Sequence, residues 1–186
     1  MTILSNGHMW KHSEFIENNN FSFDKNKILN SLSKKDIDDA YSSISSWEGY
    51  FPTPLIELNK LSKELNLNKI FYKDESKRFN LKSFKALGGA YVIKVKGNYE
   101  KALIECIKQS TDNNWQIVQD VAWKDYMVVP KFTMAGYTVM MKEIVTQIDQ
   151  KKISHIILQA GVGGMAAAMI AGIARYLENI PITIVI

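Results

Sequence analysis

Cysteine occurs once in the 186 residues, at Cys106. That rules out an internal disulfide, and nothing around Cys106 has metal-ligand spacing. Long apolar runs are missing too. None approaches the roughly 20 residues needed to cross a membrane, and Met1 to Lys11 lacks the charged-then-apolar order of a secretory leader. No single sign of charge dominates. The net charge is +4, with lysines scattered along the chain rather than gathered in a stripe, so there is no electrostatic footprint for nucleic acid. No internal repeat is visible. Together these absences predict a cytoplasmic protein with no metal and no membrane or nucleic-acid partner.

What is present is 46% apolar residues, enough for one good core. Residues up to about Asn30 are polar with isolated aromatics and read as an irregular or extended arm. Lys34 to Ser46 reads as a short helix. Trp47 to Leu55 holds Gly49 and two of the four prolines, Pro52 and Pro54, which break any regular element. Lys60 to Leu65 reads as a helix and Lys69 to Lys73 as a strand. Ser83 is placed to cap a helix over Phe84 to Val92. A helix is expected from Tyr99 to Lys108 and a strand from Trp115 to Gln119. A longer helix follows, with Phe132, Gly136, Met140, Ile144 and Ile148 in one four-residue row. His155 to Leu158 and Ile182 to Ile186 are strands of buried type around a helix from Gly163 to Leu177. Strands alternating with amphipathic helices predict an α/β fold: an open, mainly parallel sheet flanked by helices. Ile182 to Ile186 is apolar on both faces, and nothing after it in the sequence covers it. The expected organisation is an arm with a short helix over residues 1–49 and an incomplete α/β domain over 50–186.

Two segments carry the chemistry. Ser83-Phe84-Lys85-Ala86-Leu87-Gly88-Gly89-Ala90 offers an amine early in a helix. Gln159-Ala160-Gly161-Val162-Gly163-Gly164-Met165 is a glycine-rich turn between a strand and a helix, where backbone N–H groups can hold a phosphate. An amine for a Schiff base and a cradle for a phosphate are what pyridoxal 5'-phosphate requires. The turn also fits the relaxed dinucleotide fingerprint. That rival needs an acid about 20 residues further on, and Asn179 to Ile186 contains none. Asp120 follows the Trp115 strand; it reads as a turn-capping aspartate or, beside a Schiff base, as an acid–base group. Lys73, Glu75 and Arg78 read either as pocket-shaping residues or as a surface ion-pair cluster. His155 reads as structural and the methionines as core filler.

With Tyr72-Lys73-Asp74-Glu75-Ser76-Lys77-Arg78-Phe79 and Val118-Gln119-Asp120-Val121-Ala122-Trp123, these segments resemble the tryptophan synthase β-like (fold type II) pyridoxal phosphate family. Within it, the likeness is to members that release ammonia from 2,3-diaminopropionate. Lys82 and Lys85 both offer an amine, and the resemblance implies Lys85, directly after Ser-Phe, as the Schiff-base lysine. It also implies Gly161, Val162, Gly163, Gly164 and Met165 as the phosphate loop and Asp120 as an acid–base residue. The implied reaction is α,β-elimination of a small amino acid, 2,3-diaminopropionate, to pyruvate and ammonia; the family's habit is a homodimer. A serine or threonine dehydratase on the same fold is the nearest alternative, and the Gln119 to Trp123 segment argues against it.

The chain departs from that pattern in one block. The family's Asp-Gly-Asn-His loop is absent, and Ala90 to Ile93 runs almost directly into Val95 to Tyr99. The seam of a missing small-domain block therefore falls near residues 93–96, and the family's C-terminal portion is missing as well. Acid–base and positioning groups act together, so the expectation is a shortened relative, weakly active or inactive by itself. The alternative is a non-catalytic remnant that binds the cofactor or pairs with an intact subunit.

Overall fold

The structure is a computed structural model. It describes residues 22–88, 99–115, 117–118, 121–122 and 125–186. The expected Phe84 helix beyond Gly88, the seam at 93–96 and Asp120 lie wholly or partly outside these residues.

Helix α1, Lys25–Ser31, opens on Asp24, whose carboxylate accepts from the Asn26 and Lys27 N–H groups. This helix corrects the expectation of an irregular arm reaching Asn30. Its Lys25 ammonium donates to the Leu177 carbonyl, so long-range packing supports a helix too short to persist alone. Helix α2, Lys34–Ser45, starts at a capping box. The Ser33 Oγ accepts from the Asp36 N–H at 3.1 Å, and the Asp36 carboxylate accepts from the Ser33 N–H at 3.2 Å.

Strand β1, Leu55–Glu57, and strand β2, Phe71–Lys73, flank helix α3, Asn59–Glu64, and pair antiparallel with Leu55 opposite Lys73. Two 3₁₀ segments follow, Glu75–Asn80 (kinked at Arg78 and Phe79) and Phe84–Gly88. Helix α4 spans Tyr99–Asn113. Residues 115, 117 and 118 form no strand, contrary to expectation.

The expected long helix is present as α5 (Val128–Tyr137) and α6 (Val139–Gln147), which only Thr138 separates. Thr138 joins them while keeping right-handed helical angles, and its hydroxyl donates to the Ala135 carbonyl at 2.7 Å. Phe132, placed by periodicity on the apolar row, is exposed; the buried face carries Thr133, Tyr137 and Met141.

Strand β3, His155–Leu158, runs parallel to β4, Ile182–Val185, with α7, Gly164–Tyr176, as the crossover. This α/β unit is present as expected, but one open, mainly parallel sheet is not. Among the described residues there are two separate two-stranded sheets, one antiparallel and one parallel, in a largely helical chain. Nor are β3 and β4 buried on both faces: Ile157 and Ile182 are 65% and 61% exposed.

The core gathers Ile44, Leu87, Tyr137, Val139, Met140, Met141, Leu158, Ala166, Met169, Ile173 and Leu177. Alanines 166, 168, 171 and 174 make α7 slim enough to lie against α5 and α6. No helix among the described residues is long and apolar enough to cross a membrane.

Candidate active site

Lys85 sits in the 3₁₀ segment Phe84–Gly88, which is buried on one side only. Ala86 and Leu87 are buried, whereas Lys85 is exposed. Ser83 starts the turn as expected, its Oγ accepting the Lys85 N–H at 3.2 Å. The segment lies against α5 at very short range. A Cβ on Gly136 would fall 2.0 Å from the Leu87 carbonyl oxygen, and one on Gly88 would fall 2.5 Å from the Thr133 methyl. The Phe84 ring meets Tyr137 edge-on, centroids 5.1 Å apart. The Lys85 ammonium lies 5.9 Å from the Phe84 ring centroid and forms no ion pair among the described residues.

The glycine turn leads from β3 into α7. Gly163 occupies the left-handed region (φ +87°), which a side chain would strain, and no side chain caps the helix it precedes. The first N–H groups of α7 lack intrahelical partners and carry the positive end of the helix dipole. Where a Cβ on Gly161 or Gly163 would stand, nothing lies within 4 Å, so an anion could approach the backbone there. Gly164 is buried, Val162 is exposed, and Met165 is half-buried and packs against the core. Phe84 and Leu87 on one segment, and Ala160, Met165 and Ala166 on the other, belong to the same apolar cluster. The fold thus brings the amine segment and the glycine turn onto one core. A cleft of about 340 Å³ lined by Val145, Ile148, Asp149 and Glu178 includes neither.

Sequence reasoning missed the centre of the charged network. Arg78 and Glu143, each 1% exposed, face each other in a two-pronged ion pair, Nη1 to Oε1 and Nη2 to Oε2, both 2.7 Å. Arg78 also reaches Glu75 through Nε at 2.8 Å and Nη2 at 2.9 Å. Lys73 bonds Glu143 Oε2 at 2.7 Å and the Thr53 carbonyl at 2.6 Å. Tyr50 donates to Glu143 Oε1 at 2.8 Å, and Thr53 donates to the Glu75 carboxylate. Two carboxylates offset two cations, and every buried side-chain polar atom described has a partner. Lys73, Glu75 and Arg78 are therefore an interior cluster, not a surface one. Burial pushes the Glu143 carboxyl upward, but the hydrogen bonds and charges of Arg78 and Lys73 outweigh it and hold the group below the ordinary carboxylate range. For Lys73 burial prevails over Glu143, and its pKa is lowered. Glu143 had one signal in the sequence, a lone acid between Met140, Met141, Ile144 and Val145. Among the described residues no group of three His, Cys, Asp or Glu could hold a metal ion.

No family model matches the chain. It is 28% identical over 211 aligned positions to diaminopropionate ammonia-lyase of Escherichia coli strain K12, covering 71% of this chain and 52% of that protein. The chain is similar in sequence to diaminopropionate ammonia-lyase. The same enzyme from Salmonella typhimurium strain LT2 is 25% identical over 222 positions, covering 74% and 55%. The chain thus spans about half the length of these relatives. The alignments are longer than the chain itself, so the ammonia-lyases carry within them residues that have no counterpart here. The fold agrees. The holo E. coli ammonia-lyase superposes with a TM-score of 0.76 at 22% identity, covering 91% of this chain and 64% of that one. The apo form gives 0.72 at 24% identity, covering 83% and 63%. A further structure of the E. coli enzyme holds an aminoacrylate–pyridoxal phosphate reaction intermediate, with a TM-score of 0.71.

Proposed function

We propose that the chain binds pyridoxal 5'-phosphate and that its site serves ammonia-lyase chemistry on a small amino acid, 2,3-diaminopropionate, the compound in its relatives' name. One observation carries the reading: an exposed lysine and an open, uncapped glycine turn share one core in a chain that matches the ammonia-lyases in sequence. These residues fit the cofactor. Lys85 supplies an amine, and the backbone of Gly161, Val162, Gly163, Gly164 and Met165 supplies phosphate donors. When bound, the cofactor supplies an electron sink for charge developing at the substrate α-carbon.

The chain's own residues then bind and move protons. Lys85 would hold the cofactor through its amine, and that amine, when free and neutral, would take a proton from the substrate α-carbon. Asp120 is assigned the second acid–base role, at the departing β-amino group. The block that the relatives carry and this chain lacks favours a second reading beside the first. In that reading the chain retains cofactor binding, and elimination is weak or absent without a partner subunit.

The test is a titration of the full chain with pyridoxal 5'-phosphate, followed by visible absorbance, with Lys85→Ala as control. A saturable band that vanishes in the variant supports cofactor binding. A band that survives Lys85→Ala removes Lys85 from its role. Release of pyruvate from 2,3-diaminopropionate then separates an enzyme from a binding remnant.

A further inference from the structure

The buried ionic cluster and the lysine segment are joined by four residues, Phe79 to Lys82. Three of them, Phe79 (φ +47°), Asn80 (φ +59°) and Lys82 (φ +57°), stand in the left-handed region without being glycine. For a residue as large as phenylalanine this is a genuine outlier, and such conformations persist only where the surroundings over-determine them. The surroundings here are explicit. On one side Arg78 is pinned by Glu143 and Glu75. Next to it the Phe79 ring lies 5.9 Å from Trp47 and 6.3 Å from Tyr50, and Tyr50 in turn donates to Glu143. On the far side Leu87 is pressed against Gly136. The strained turn is thus held at both ends, and Lys85 lies three residues after its last member, Lys82.

A buried ion pair is a weak way to gain stability, since apolar residues of similar volume often do as well. Its strict geometry is better suited to fixing one conformation. The geometry points to Arg78 and Glu143 as positioning residues that lock the Phe79–Lys82 turn and thereby aim the Lys85 amine. This rests on Lys85 being the cofactor lysine. Neither residue touches the reacting atoms; both act through the backbone between them and Lys85.

The test measures how fast, and where, the chain is labelled. Pyridoxal 5'-phosphate is added to the full chain. The Lys85 amine forms a carbon–nitrogen double bond to the aldehyde carbon, and the aldehyde oxygen leaves as water. Borohydride then reduces that bond, and mass spectrometry locates the labelled lysine. Arg78→Met combined with Glu143→Leu removes the ion pair and keeps the cluster's net charge unchanged, leaving one cation, Lys73, and one anion, Glu75. Asn80→Gly combined with Leu81→Gly loosens the turn at two exposed positions and leaves the cluster intact, so it decides the matter should the first variant fail to fold. In folded variants, shown by unchanged circular dichroism, labelling at Lys85 is expected to slow about 100-fold, the scale of a small misplacement, with label spreading to other lysines. A merely structural role would lower the melting temperature and leave the rate and site of labelling unchanged. Wild-type labelling at Lys85 that persists at full rate in a folded variant overturns the positioning role and leaves the cofactor reading standing. Wild-type chain that takes no label at Lys85 sinks both.

Discussion

Gly136 and Leu87 meet so closely that the carbonyl oxygen of Leu87 occupies the place of a Gly136 side chain, 2.0 Å from where a Cβ would be. The obstacle is backbone, which cannot rotate away. Gly136→Ala is expected to destabilise the chain by about 1–3 kcal/mol as an overpacked contact and to slow labelling of Lys85. Thermal unfolding checks the first effect; an unchanged midpoint would show that the contact can open without cost.

Gly161 offers the opposite case. Nothing lies within 4 Å of its missing Cβ, and its φ is not in the left-handed region. Gly161→Ala is expected to leave stability within about 0.5 kcal/mol of wild type while weakening pyridoxal 5'-phosphate binding, because the methyl group fills the approach to the backbone. Melting curves with and without cofactor separate the two effects. Full binding by a folded variant would move the phosphate elsewhere.

Removing Glu143 alone should be costly. Glu143→Ala leaves Lys73 without its carboxylate and Arg78 with Glu75 alone, a loss of about 3–5 kcal/mol for a broken buried pair. Arg78→Met with Glu143→Leu should lose markedly less. Urea unfolding of both variants gives the comparison, and equal losses would contradict the desolvation argument.

Acid sensitivity follows from the same carboxylate. The folded-state pKa of Glu143 lies below its ordinary value of 4.5, so folding favours the ionised form. That stabilisation is complete above the ordinary value and is lost as pH falls through the lower folded value. Wild type should therefore lose stability between about pH 5 and pH 3 more steeply than Glu143→Gln. Urea midpoints across that range test it; parallel curves would mean that Glu143 is not the group responsible.

Ser33→Ala removes one half of the capping box at α2 and is expected to cost about 1 kcal/mol. A change of Ser33 to Asn should recover most of it, as read from melting temperatures.

Local signals made part of this fold legible in the sequence. The apolar run His155–Leu158, the glycine turn and the small-residue helix after it announce a β–α–β unit, and the unit is there. Helix α2 was read as a short helix over Lys34 to Ser46, and it spans Lys34–Ser45. By contrast, β1 is three residues long and exists through pairing with β2, which no periodicity reveals. Helix α1 depends on Asp24 and on Leu177, far along the chain. For the site, Lys85 and the glycines stand out by residue type and context. Glu143 does not, because what makes it matter is Arg78 and Tyr50, 65 and 93 residues away in sequence.

Thr138 separates α5 from α6 by name only. It keeps helical angles, and the Met141 and Lys142 N–H groups still bond its carbonyl at 3.0 and 3.1 Å. Gly136 and Glu143 accordingly ride on one rod, about two turns or roughly 10 Å apart. One end of that rod bears on the lysine segment, and the other is moored to the charges beneath the 50–53 loop. A tilt imposed at the moored end cannot dissipate along the way. It arrives at the other end as a change of bearing, so this rod works as a lever between the interior charges and a surface amine.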